Sequence, residues 1–340
     1  MYSFLLSPIA LIGITIALPQ PYTSNTTNNA IRHRRATTAH PIMGGQNFPD
    51  PGIIRVADGW HAFSTNALYN GTPIHVQIAH TPDFMTWTLR ASVDAMPKLA
   101  PWVDTLNPRV WAPDVVQLAD GSFMMYYTAA YVRNTKLHCV SFATSKNVDG
   151  PYVDAKVEPW TCPVAQGGAI DPSGYLNADG TRWVVYKIDG NAIGHGGSCG
   201  NTVRPIVQTP IMLQQVAADG HSKIGNPIQL ISNDLDDGPV VEAPALAYLD
   251  GKYVLFFSSN CFATSLYDVS YAIASDIRGP YRKGGPLYVT GNMGMYAPGG
   301  LDVALNGNRA IWHGNVAGGR AAFTGIASLD GNVISMTSVS

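Results

Sequence analysis

Charge is scarce in this sequence. Lys, Arg, Asp and Glu make up 13% of 340 residues, and the formal net charge is −2. With no basic surplus to neutralise a phosphate backbone or an anionic bilayer, neither nucleic acid nor membrane is expected as a partner. No segment of helical period and useful length interrupts the chain, which argues against α/β folds. The Gly-rich run His195-Gly-Gly-Ser-Cys-Gly-Asn201 is not followed by Lys-Ser/Thr and cannot be a phosphate loop. Neither a CxxC pair nor a His-x3-His spacing is present, so the usual zinc motifs are missing. Past the first eighteen residues, no stretch is long and apolar enough to span a bilayer.

Residues 1–18 are apolar and read as a secretory signal peptide, although the first turn carries no Lys or Arg. Residues 19–35 are rich in Thr and Asn and end in Arg32-His33-Arg34-Arg35, a pattern expected of a pro-segment or linker cut by a kexin-type protease. The folded domain is expected to occupy residues 36–340, and the protein to be secreted. Cysteine is limited to four residues, which in an exported chain suggests two disulfides with three possible connectivities. Local context favours Cys199 with Cys261 and Cys139 with Cys162. Asn25 and Asn70 lie in glycosylation sequons.

Glycine and proline, by contrast, are abundant: 34 and 24 residues spread along the chain, as many turns and short strands require. Five segments share one grammar, in which a small or acidic residue near Pro is followed by a short apolar strand, a tight turn and an aromatic-rich strand. They begin at Asp50, Ala112, Asp171, Glu242 and Ala297. In the first four, an Asp-Gly turn follows the anchor at a fixed offset, and Asp-Gly between apolar runs is a strong hairpin signal. A second phrase, as in residues 142–152 and 272–281, supplies a third strand and leads into a fourth. Five four-stranded antiparallel units in one chain predict an all-β, five-bladed β-propeller.

The innermost strands of a propeller line its axis, so the five anchors must converge. Three of them are carboxylates. A merely structural turn residue should be the same in every blade, and crowding three carboxylates has an electrostatic cost. Carboxyls driven to different pKa values are what acid/base hydrolysis needs.

The phrases Asn47-Phe-Pro-Asp-Pro-Gly52, Trp111-Ala-Pro-Asp114, Gly168-Ala-Ile-Asp-Pro-Ser173 and Val241-Glu-Ala-Pro244 closely resemble those of glycoside hydrolase family 43. The resemblance covers roughly residues 40–340. It implies a five-bladed propeller that hydrolyses arabinose- or xylose-containing glycans with inversion. It also implies Asp50 as general base, Glu242 as general acid and Asp171 as the carboxylate that tunes and orients the acid. Trp111 is a candidate platform for a pentose ring, with inter-blade packing as the alternative. The resemblance points to His313 as a candidate contact to a calcium or sodium ion in the central channel, although no cofactor is required.

The pattern looks most like short fungal members that release arabinose, so an exo-acting α-L-arabinofuranosidase is expected. An endo-α-1,5-L-arabinanase and a β-xylosidase are the alternatives within the class, and a non-catalytic carbohydrate-binding propeller is the alternative outside it. The expected partner is plant cell-wall polysaccharide or an arabino-oligosaccharide, met by a monomer.

Overall fold

The computed structural model describes residues 38–305 and 307–339. The signal peptide, the pro-segment and Asn25 lie outside them. Residues Thr37–Ser340 form one compact unit, built as five antiparallel blades around an axis.

Blade 1 orders its strands β1 (Gly52–Val56), β2 (Gly59–Ser64), β5 (Gln77–Thr81) and β6 (Thr88–Leu89), with a small hairpin of β3 (Ala67–Tyr69) and β4 (Thr72–Ile74) inserted between β2 and β5. Asn70, the sequon residue, is exposed at the tip of that hairpin. Blade 2 has three strands, β7 (Trp111–Gln117), β8 (Phe123–Tyr131) and β9 (Asn134–Ser145). Here the structure departs from the expected four: the segment after β9 returns along it through two isolated antiparallel bridges, Thr144–Val153 and Val140–Thr161, in place of a continuous fourth strand.

Blade 3 comprises β10 (Ala169–Leu176), β11 (Arg182–Ile188), β12 (Ile211–Val216) and β13 (Lys223–Ile231). Blade 4 comprises β14 (Val241–Leu249), β15 (Lys252–Ser259), β16 (Asp268–Ala274) and β17 (Arg282–Tyr288). Blade 5 closes the chain with β18 (Gly299–Val303), β19 (Arg309–Val316), β20 (Gly319–Asp330) and β21 (Val333–Ser338).

Local chemistry accounts for the hairpins. In blade 4, Leu249 pairs with Lys252 and leaves Asp250 and Gly251 as a two-residue turn, both at positive φ (45° and 78°). Asp and Gly tolerate that conformation best, and its twist matches the flanking strands.

The inner strands carry a shared irregularity. Pairing skips two residues between Trp111 and Asp114, between Ile170 and Ser173, between Glu242 and Ala245, and between Gly299 and Asp302. The first skipped residue in each case, Ala112, Asp171, Ala243 or Gly300, has φ between 42° and 58°, and Asp50 at the mouth of β1 has φ 50°. Such β-bulges re-aim side chains next to active sites.

This corrects two of the expected anchors. In blade 4 the equivalent of Asp50 is Ala243, with Glu242 one residue ahead of the bulge. In blade 5 it is Gly300 rather than Ala297, whose own Ala-Pro step precedes β18 and imitates the motif. Glycine reaches positive φ without a following proline, so the phrase that marks the other four blades is missing from the fifth.

Apolar side chains fill the spaces between blades. Phe63, Trp102, Met125 and Tyr127 pack between blades 1 and 2, and Phe256, Tyr271, Trp312 and Phe323 between blades 4 and 5. Trp102 and Trp312 are among the largest fully buried side chains. The ring closes where the chain before β1 meets β20: Asn47 bridges to Ala321, the Phe48 N–H donates to the Arg320 carbonyl at 2.7 Å, and the Arg320 N–H donates to Asn47 Oδ1 at 2.9 Å.

Two disulfides are present, Cys139–Cys162 and Cys199–Cys261. The second joins the β11–β12 connection to the β15–β16 connection across 62 residues of sequence. Closing a loop of that length restricts the unfolded chain enough to stabilise the fold by up to about 4 kcal/mol. The variant Cys199→Ala/Cys261→Ala should therefore lose about 2–4 kcal/mol in urea unfolding; a loss below about 0.5 kcal/mol would mean that the cross-link does not constrain the denatured chain.

Candidate active site

The bulges bring Asp50 and Asp171 to one mouth of the axis, and β14 adds Glu242 beside them. Asp50 is held on both carboxylate oxygens. Arg320 on β20 forks onto it, Nη1 to Oδ1 at 2.7 Å and Nη2 to Oδ2 at 3.2 Å, and the Thr65 hydroxyl donates to Oδ2 at 2.7 Å. Burial alone would raise the pKa of Asp50, but Arg320 first, and then the Thr65 hydroxyl, hold it below the usual carboxylate value. Asp50 is therefore an ionised, oriented carboxylate.

Glu242 and Asp171 share a different environment. Lys187, a fully buried lysine on β11, contacts Glu242 Oε2 at 3.0 Å and Asp189 Oδ1 at 3.1 Å. Burial would favour the neutral amine, yet Glu242, Asp189 and Asp171 raise its pKa and keep it charged. Asp171 accepts the Ala243 N–H on Oδ2 at 2.9 Å and receives no cation of its own. Burial first, then the charge of Glu242, pushes its pKa up to about 8, against a lowering by Lys187. Asp171 therefore keeps its proton at neutral pH. A clamped anion and a proton-holding carboxyl at one mouth are the two halves of acid/base hydrolysis.

Beneath the mouth, the residue following the bulge lines the axis in blades 2, 3 and 5, as Asp114, Ser173 and Asp302. Asp114 accepts the Gly174 N–H at 2.6 Å, and Asp302 accepts the Ile53 N–H at 2.8 Å. Burial pushes Asp114 up to about 7, and burial with the charge of Asp114 raises Asp302. At the same level blade 1 has Gly52, where a Cβ would lie 2.4 Å from the Pro113 carbonyl oxygen. No side chain fits there.

His313 is fully buried and lies against Asp50, but it does not fit a channel cation. Its Nδ1 accepts the Asp50 N–H at 3.0 Å, so its hydrogen sits on Nε2, which faces Arg320 Nη1 at 3.5 Å. Burial and Arg320 push its pKa down to about 3. The ring has no free lone pair for a metal, and a guanidinium occupies the space a cation would need. Its role here is to fix the backbone of Asp50. Trp111 is half-buried with its indole stacked on the His138 ring, centroids 3.9 Å apart. His138 is neutral, pushed down to about 3 by burial together with Arg109 and Lys187.

Arg320 and Lys187 carry the electrostatics of the site and were not among the residues expected from sequence. Lys187 did leave a signal: it is a lone charge in the apolar strand Trp183-Val-Val-Tyr-Lys-Ile188. Arg320 left none, since it follows a loop of small residues on the third strand of its blade. One further cluster of donor side chains, Asp58, His61 and His80, is spaced for a metal ion and lies away from the mouth.

The sequence matches the family description "Glycosyl hydrolases family 43" over residues 38–301. The chain belongs to this family. It is a glycosidase, hydrolysing O-glycosyl bonds. Among family 43 relatives, the chain is 25% identical over 281 residues to "Extracellular endo-alpha-(1->5)-L-arabinanase 1" of Bacillus subtilis (strain 168), covering 78% of this chain and 79% of that one. It is 27% identical over 331 residues to "Probable arabinan endo-1,5-alpha-L-arabinosidase C" of Aspergillus flavus, covering 90% of each. The crystal structure of a thermostable family-43 glycoside hydrolase superposes with a TM-score of 0.72 at 20% identity, over 89% of this chain and 97% of that one.

The Arg320 fork can be tested by pH. In Arg320→Gln the burial of Asp50 is no longer offset, its pKa rises, and the ionised base is lost at a higher pH than in the wild type. The acid limb of kcat/KM should move up by about one pH unit or more, with activity at the optimum reduced about 10–100-fold. An unmoved acid limb would show that Asp50 does not depend on the guanidinium.

Proposed function

We propose that this family 43 enzyme is secreted and cleaves α-1,5-linked L-arabinan internally, with inversion of the anomeric carbon. The observation that carries the chemistry is the contrast at the channel mouth between Asp50, held ionised by Arg320, and Asp171, which keeps a proton beside Glu242. Asp50 is the general base that takes a proton from water. Glu242 is the general acid that protonates the leaving oxygen, and Asp171 keeps the proton available to it. Inverting enzymes separate base and acid by about 6.5–9.5 Å so that water fits beside the sugar. Trp111 is assigned as the surface on which a pentose ring stacks.

The substrate and the endo mode rest on two supports. Both relatives described above are named for endo action on α-1,5-arabinan. A cavity of about 610 Å³ is lined in part by Asn47, Asn66, Leu68, Tyr69 and Arg109, close in sequence to Asp50, Thr65 and Trp111. It supports room for an oligosaccharide to continue past the cleavage point. The exo-acting arabinofuranosidase favoured from sequence alone is thus less well supported than the endo-arabinanase. Secretion is supported by the two disulfides and by the extracellular name of the Bacillus relative.

Linear debranched arabinan separates the modes. Early products should be arabino-oligosaccharides; arabinose alone from the first minutes would restore the exo reading, and activity confined to β-xylosides would remove arabinan as the substrate. Glu242→Gln should lose more than about 100-fold on arabinan but much less on a dinitrophenyl arabinofuranoside, whose leaving group needs little protonation, whereas Asp50→Asn should lose both. Asp171→Asn removes the carboxyl whose pKa is pushed up to about 8 and which keeps a proton beside the acid, so the alkaline limb should move down. Retention of configuration in the first product, read by NMR, would exclude the inverting assignment.

A further inference from the structure

At the end of β1 remote from Asp50, three donor side chains converge. Asp58 lies in the β1–β2 turn, His61 on β2 and His80 on the neighbouring β5, and their ligand atoms all fall within 4.8 Å of one another. His61 Nε2 is 3.1 Å from Asp58 Oδ1, and His80 Nε2 is 3.2 Å from the Asp58 carbonyl oxygen and 3.9 Å from its Oδ2. The two imidazoles lie with centroids 4.7 Å apart. Ligands on a metal with bonds of about 2.0–2.1 Å sit about 3.3 Å from each other in a tetrahedral site, so the cluster needs only small side-chain shifts to close on an ion. The shifts are available: Asp58 is 63% exposed and can move, while His61 is fully buried and fixed.

What fixes His61 is a second, independent feature. Its other nitrogen, Nδ1, is 2.7 Å from Asp149 Oδ1, and Asp149 is ion-paired in turn with Arg90. A carboxylate behind an imidazole is the arrangement that sets the orientation and raises the basicity of a metal-bound histidine. A lone imidazole–carboxylate contact would suffice to hold a hairpin. A second imidazole brought within reach of the same aspartate, with a supporting carboxylate behind the first, is more than a hairpin needs.

We infer that Asp58, His61 and His80 form a binding site for one divalent transition-metal ion, zinc being the natural occupant, with its fourth position open to water. Two imidazole nitrogens and one carboxylate suit zinc, copper or nickel and not calcium or magnesium, which take oxygen donors. The site is structural. It ties the β1–β2 turn to β5 and, through Asp149, links blade 1 to the segment that leaves blade 2. It lies at the opposite end of β1 from the acid/base residues, so it supplies nothing to the hydrolytic step.

The test uses untagged protein stripped with chelator and titrated with zinc chloride in a calorimeter. One zinc per chain should bind with micromolar or tighter affinity, and at a hundredfold excess over Kd the Tm should rise by about 4 °C. His80→Ala and Asp58→Asn should each bind zinc at least tenfold more weakly and lose about half of that rise or more at the same zinc concentration, with metal-free Tm and hydrolytic rate unchanged. Calcium should give neither signal. X-ray absorption of the zinc-loaded wild type, which needs no variant to fold, should show two imidazole ligands. Absence of saturable one-to-one binding, unchanged affinity in His80→Ala, or fewer than two imidazoles would each overturn the assignment.

Discussion

Everything at the mouth of this propeller follows from one electrostatic constraint: a ring of inner strands brings more carboxylates together than can all be ionised. Asp50, Asp171, Asp189 and Glu242 meet there, with Lys187 and Arg320 as the neighbouring cations. Four negative charges against two positive ones in a buried site is a surplus that a low-dielectric environment does not tolerate, and a proton is the cheapest way to reduce it. Which groups keep their charge is decided by where the cations sit. Arg320 lies on Asp50 and Lys187 lies between Glu242 and Asp189, which leaves Asp171 to keep a proton. The same logic repeats deeper along the axis, where Asp114 and Asp302 have only backbone N–H partners and both are raised.

Backbone geometry makes this arrangement possible. A regular strand directs alternate side chains to opposite faces, and a continuous pleat would turn Asp171 away from its neighbours or push it up against the next blade. The bulge, with its first residue near φ 50°, interrupts the alternation at the place where the strand meets the axis. Asp is among the non-glycine residues that best tolerate this region. The bulge is therefore found in blades with a carboxylate and in blades without one. It belongs to the fold, and the acids occupy it.

Much of this was legible in the sequence because the recurring signals are local. Residue type, proline and a hairpin turn recur within a dozen positions, so the propeller and the three carboxylates could be placed without knowing any long-range contact. Errors arose where local grammar is ambiguous. Glu242 keeps its offset to the next Asp-Gly turn but stands one residue ahead of the bulge, and Ala297-Pro298 imitates a motif whose place Gly300 actually fills. The missing fourth strand of blade 2 left no mark, since the Gly-Pro-Tyr phrase before it matches that of blade 4. Residues that act from the second and third strands were harder still. Arg320 is 270 positions from Asp50, and only the closed ring makes them neighbours. His61 and His80 are far apart for a spacing motif, and their pairing depends on strand register, which sets His61 opposite His80.

Ring closure and the proposed acid/base site share a residue. The backbone of Arg320 pairs with Asn47 and Phe48 to join the last blade to the first, while its side chain clamps Asp50 three residues along from Asn47. A propeller has no other seam of this kind, because every other pair of neighbouring blades is joined by continuous chain. Loosening the seam would part guanidinium from carboxylate while all five blades kept their strands and their apolar packing. Inactivation by mild denaturant should then run ahead of the loss of β-sheet signal, and enzymatic activity becomes a gauge of whether the circle is shut.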